Sequence, residues 1–110
     1  LTIGNAKSID ILTKPPKGNL YEISVKAIQG GGKWGIGKED VSRRKNLVYI
    51  LMHYKKFSDV TTHPEFWVIP AAEAEKLKRP WLNGAFAIFC SNKNDRAEIE
   101  AFLNAWDFLQ

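Results

Sequence analysis

At 110 residues the chain has room for one domain with one hydrophobic core; 45% of it is hydrophobic and 25% charged, which excludes a disordered or collagen-like polymer. No apolar run approaches the roughly 18 residues of a membrane span, and the start shows neither the basic flank nor the apolar stretch of a secretory signal. The net charge of +4 is uneven, with +7 over residues 1–56 and −3 over residues 57–110, so the first half is the place to look for a polyanion partner.

Ser8-Ile9-Asp10-Ile11-Leu12-Thr13 reads as a strand, stopped by Lys14-Pro15-Pro16-Lys17-Gly18-Asn19, since proline cannot continue a ladder. Leu20 to Gln29 alternates, with Ile23, Val25 and Ala27 on one face and Glu22, Ser24 and Lys26 on the other. Two strands and a short connection predict an antiparallel hairpin. Gly30-Gly31-Gly32 ends it, and Trp34 follows in a glycine-rich segment read as a loop. Residues 38–44 are expected to form a helical turn. Asn46 to Tyr54 has the Val, Tyr, Ile and Leu content of a central strand. Glu65 to Pro70 is a strand closed by proline, Ala71 to Lys78 a short helix, and Ala85 to Cys90 a further strand. Asn94 or Asp95 is expected to cap a final helix whose apolar positions are Ile99, Phe102, Leu103, Trp106 and Leu109. The expected class is therefore α+β or mixed α/β, a mainly antiparallel sheet flanked by helices in a single domain over residues 1–110.

Cys90 is the lone cysteine, so no disulfide or cysteine metal cluster can form within one chain. This usage fits a reducing, cytoplasmic compartment, and Cys90 reads as apolar filler. His53 and His63 lack acidic or cysteine partners at ligand spacing and make a poor metal site. The chain starts at Leu1 rather than Met, as expected of a processed or trimmed protein.

Two residues are out of place in the predicted hairpin. Asp10 sits within an apolar strand and Lys26 between Val25 and Ala27, positions where a charge needs a partner or a metal. A carboxylate that binds a hard cation through oxygen, beside an amine, suits phosphodiester hydrolysis. A cross-strand ion pair with no chemistry accounts for the same two residues.

These segments, Ser8-Ile9-Asp10-Ile11-Leu12 and Tyr21-Glu22-Ile23-Ser24-Val25-Lys26-Ala27, resemble the D…(D/E/Q)-x-K signature of the PD-(D/E)XK nuclease-like superfamily. With Gly-Gly-Gly-Lys-Trp-Gly, the strand Lys45 to Ile50 and Glu65 to Pro70, the resemblance spans roughly residues 5–75. It implies a restriction-endonuclease-like core in which Asp10 binds Mg²⁺ or Mn²⁺ and Lys26 activates water. The middle acidic position falls on Ser24, a neutral hydroxyl, and Glu22 on the same face stands ready to complete the metal site. The family's glutamate from a helix before the first strand has no counterpart here. The resemblance implies a metal-dependent nuclease or a nuclease-derived nucleic-acid-binding domain. The alternative is a non-catalytic assembly module that keeps the fold, and a third reading is an interaction domain unrelated to nucleases.

In a nucleic-acid binder, Arg43, Arg44 and Lys45 with Lys33 and Lys38 would hold the backbone, and Trp34 would stack on a base. The other reading of Trp34 is a core residue that pins the glycine segment. Trp81 lies in a loop suited to a homodimer contact.

Overall fold

Period-two alternation organises the centre of the molecule. In the computed structural model, which describes residues 11–13, 21–41, 44–54 and 63–109, strand β2 (Tyr21–Gln29) lies between β1 (Ile11–Thr13) and β4 (Leu47–Tyr54). The β1–β2 pairing is antiparallel, in the register Ile11↔Ile23, so the predicted hairpin forms where it is described. The β2–β4 pairing is parallel, with Ser24 opposite Tyr49 and Lys26 opposite Leu51. Strand β5 (Glu65–Pro70) adds antiparallel to β4, and the first sheet runs β1-β2-β4-β5. Ile23, Ser24 and Val25 are consecutive and all buried, so β2 is covered on both faces.

A parallel pair needs a crossover, and residues 30–46 supply it. Within it lies β3 (Lys33–Gly37), a strand where the glycine-rich sequence reads as a loop. It pairs antiparallel with β7 (Phe86–Phe89), which pairs with the two-residue β6 (Arg79–Pro80), making a second sheet β3-β7-β6. Glycine is required here for closeness: a Cβ on Gly32 would stand 2.4 Å from the Ser91 Cβ. Gly30 and Gly31 turn the chain between β2 and β3 with φ of 59° and 63°, the left-handed region that glycine tolerates.

Helix α1 (Ala71–Leu77) forms as expected, burying Ala71 and Ala74. The final helix does not. Helix α2 (Lys93–Ile99) is capped by Asn92, whose side chain accepts from the Asp95 amide at 2.9 Å, and it ends at Ile99. Leu103 then bridges to Trp67 and the Asn104 amide donates to the Phe66 carbonyl at 2.9 Å. Two 3₁₀ turns, Glu100–Phe102 and Trp106–Leu109, flank that contact. The three- and four-residue spacing that predicts one continuous helix is used instead to close the outer edge of β5. The helical turn expected over 38–44 is absent from 38–41, which bends without helical structure.

The main core lies between the sheets, built from Trp34, Leu47, Tyr49, Leu51, Trp67, Ile69, Ile88 and Ile99. Val48, Val68 and Ala105 form a smaller cluster on the other face of the first sheet. The architecture is a small mixed α+β domain with antiparallel-rich sheets and, among the described residues, two α-helices. Among the described residues no helix is long and apolar enough to cross a membrane.

Candidate functional site, a basic cavity over strand β2

Ladder partners share a face, so Glu22, Ser24 and Lys26 lie on the side of Leu47, Tyr49 and Leu51, facing the main core. Where that core thins, the face opens into a cavity of about 390 Å³. Strand β2 contributes Ser24 and Lys26, and β4 contributes Tyr49. The crossover supplies Ile36, Gly37, Lys38, Glu39, Val41 and Arg44. A register shift between Gly35 and Gly37, with Gly37 at φ 86°, ends the pairing of β3 with β7 and swings the chain over β2.

That wall is anchored from outside. The Val41 amide donates to Glu75 Oε1 at 2.9 Å, and the Lys78 ammonium bonds the same carboxylate at 2.6 Å and the Glu39 carbonyl at 3.4 Å. Helix α1 thus holds the crossover in place, which fixes the cations it carries. Arg44 Nη2 reaches Glu22 Oε2 at 2.7 Å, with both side chains about one-third exposed. Such a half-exposed pair contributes little net stability but does set where the guanidinium points.

Among the described residues Lys26, Lys38, Arg44 and Glu39 line the cavity, with Arg44 paired to Glu22 at its edge. Burial pushes the Tyr49 phenol above its ordinary 10.0; Arg44 works against the shift, while Glu75 and Glu39 add to it. Tyr49 is therefore a neutral O–H group at physiological pH. Ser24 is 0% exposed, and its hydroxyl has no hydrogen-bond partner among the described residues.

Of the residues singled out in the sequence, Ser24, Lys26, Lys38 and Arg44 come together here, with Glu22 against Arg44. Asp10 and Arg43 lie outside the described residues. Lys45 is exposed in the turn before β4. Lys33 is elsewhere, its ammonium 5.1 Å from the Trp81 ring centroid. Trp34 leaves the nucleic-acid set: it is 1% exposed, donates from Nε1 to the Met52 carbonyl at 2.8 Å and packs edge-on against Trp67 at 5.2 Å. No face of its indole is open to a base, so the core reading is the correct one. Tyr49 and Glu39 are additions that the sequence did not flag, since a tyrosine in an apolar strand reads as core.

Among the described residues beside β2, the groups on hand for a divalent cation are Glu22 and Ser24. The Glu22 carboxylate is already bonded to Arg44, and Ser24 offers only a neutral hydroxyl. Among the described residues no three His, Cys, Asp or Glu side chains cluster as metal ligands do. Burial, the largest influence, raises the Cys90 thiol to about 11, so it stays protonated and is no nucleophile. The ladder brings Glu65 opposite His53, with Nδ1 to Oε1 at 3.7 Å, an acidic neighbour that sequence spacing does not reveal.

No family model matches the chain, and no curated protein or solved structure matches it either.

Proposed function

We propose that the domain binds nucleic acid through phosphate, as a module derived from the PD-(D/E)XK nuclease-like fold. The observation that carries the reading is the convergence of Lys26, Lys38 and Arg44 on one cavity beside β2, around Ser24. The antiparallel β1–β2 hairpin inside a mixed sheet supports a restriction-endonuclease-like core. Phosphate contact by lysine and arginine supplies affinity that falls steeply with salt. The test is fluorescence anisotropy of single-stranded and duplex DNA and RNA across a salt series. The expected result is salt-sensitive binding that is lost when Lys26, Lys38 and Arg44 are neutralised together. Salt-insensitive binding, or none, sinks the reading.

The catalytic form of this proposal, a Mg²⁺- or Mn²⁺-dependent phosphodiesterase with Asp10 as ligand, is favoured by one observation. That observation is Lys26, an amine on the cavity wall beside β2. Localised amide broadening by Mn²⁺ near Lys26, absent in Asp10→Ala, is its expected signature. An assembly module is favoured by Trp81 and Leu82, exposed by 44% and 59% on the loop between β6 and β7. It predicts a homodimer in sedimentation that Trp81→Ala dissociates.

A further inference from the structure

We propose that Asn83 is a site of spontaneous covalent modification. Its carboxamide is lost through a cyclic imide formed with the Gly84 backbone nitrogen, which leaves aspartate and isoaspartate at the tip of the β6–β7 hairpin.

The sequence singles the position out. Of the seven asparagines in the chain, Asn83 alone is followed by glycine. Ring closure brings the nitrogen of the next residue onto the asparagine Cγ, and a side chain on that residue crowds the approach. Glycine has none, and a Cβ placed on Gly84 would meet nothing within 4 Å beyond its chain neighbours.

The fold then presents the pair to water. Asn83 and Gly84 are the central residues of a tight turn, with φ of 54° and 78°, the left-handed values of a type I′ hairpin. The Ala85 amide donates to the Leu82 carbonyl at 2.9 Å, and the Trp81 amide to the Ala85 carbonyl at 2.9 Å. The Gly84 nitrogen takes no part in either bond, and residues 81–84 are all exposed. The strand behind the turn, β6, is two residues long, so the opening that ring closure needs is a local fray and not unfolding. Asn104 offers a comparison within the same molecule. It shares the φ of 54°, but a buried Ala105 follows it and its own amide is tied to the Phe66 carbonyl. The Asn92 side chain is occupied in capping α2.

The Gly84 amide gives up its proton as its nitrogen bonds to Asn83 Cγ. The Cγ–Nδ2 bond breaks, and ammonia leaves carrying that proton. Water, the one co-reactant, then opens the ring. Attack at Cγ gives aspartate. Attack at the main-chain carbonyl gives isoaspartate, whose backbone runs through Cγ and is one carbon longer. Either product sets a new negative charge beside Trp81 and Leu82, exposed by 44% and 59%.

The experiment ages the folded domain at neutral and mildly alkaline pH, beside the same chain unfolded in urea. Mass spectrometry of digested samples, with unaged controls, reads each asparagine. Acid should accumulate at Asn83 in the folded domain, as both isomers and faster at the higher pH, while Asn92 and Asn104 remain amides. Gly84→Ala should slow the conversion about tenfold or more, equivalent to about 1.4 kcal/mol of added barrier. Alanine at that φ also strains the turn, so the variant is compared in urea as well, where the turn is gone and the slowing should persist. Asn83 that stays an amide in the folded domain while it converts in urea overturns the proposal, because the turn then protects it. Conversion spread evenly over the asparagines, or unslowed in Gly84→Ala, overturns it too.

Discussion

Replacing Ser24 by alanine should make the free protein more stable, an unusual outcome for a change at a fully buried position. The side chain is 0% exposed, so its hydroxyl has lost water, and it has no partner in exchange among the described residues. That penalty is about 1–3 kcal/mol. Alanine removes the oxygen and keeps the Cβ, and the space released opens onto the existing cavity rather than leaving a new enclosed void. Allowing for lost dispersion contacts, the net gain should be about 1 kcal/mol. In a domain of this size that raises the thermal midpoint by roughly 3–6 °C. Urea unfolding followed by tryptophan fluorescence and circular dichroism should show a midpoint higher by roughly 0.5 M with unchanged slope. A variant no more stable than its parent would refute the reasoning, because it would mean that the hydroxyl is already bonded in the free state.

Single replacements Lys38→Ala and Arg44→Gln should each flatten the salt dependence of single-strand binding by about 0.7 in log–log slope, read by anisotropy at several salt concentrations. Trp34→Ala should destabilise by about 3–5 kcal/mol in urea titration, the cost of emptying a core site, while the exposed Trp81→Ala costs far less. Gly32→Ala should also destabilise, by about 1–3 kcal/mol, because its new Cβ would collide with Ser91. Asp95 should give the acid limb of stability. The Ser91 hydroxyl bond, and then Arg79, hold its carboxyl below the ordinary 3.8 against the opposing pull of burial. A depressed folded value means that the contribution is complete above 3.8 and disappears as pH falls through the lower folded value. Unfolding midpoints measured against pH should show that loss, and Asp95→Asn should remove it.

What could be read directly from the residues follows where local pattern and tertiary role agree. Strand β4 is apolar and free of proline, β5 stops at Pro70, and α1 is made of good helix formers, so all three lie where their sequences put them. Strand β3 is different. Gly35 and Gly37 carry no strand propensity, and what makes Lys33–Gly37 a strand is the close approach of β7, a partner fifty residues away in sequence. The last helix misleads for the opposite reason: Leu103 falls in phase with a helical face, yet a left-handed Asn104 and the Phe66 carbonyl take the chain to the β5 edge. The two tryptophans make the point about sites. Trp34 and Trp81 both sit in glycine- or proline-marked segments, and nothing local distinguishes the buried one from the exposed one. Lys26 was legible as a residue at odds with its strand and Ser24 only through the family resemblance, and Tyr49 joins them through the parallel pairing of β2 with β4.

The crossover that walls the cavity also contains β3, so one stretch of chain joins two strands of the first sheet and forms an edge of the second. The pocket therefore cannot open as a separate flap: loosening its wall pulls on the β3–β7 ladder. Occupancy should be felt across the whole fold, with amide hydrogen exchange slowing on β7 at Ala87 and Ile88, neither of which lines the cavity. A site built in this way reports the binding of a phosphate as global rigidity.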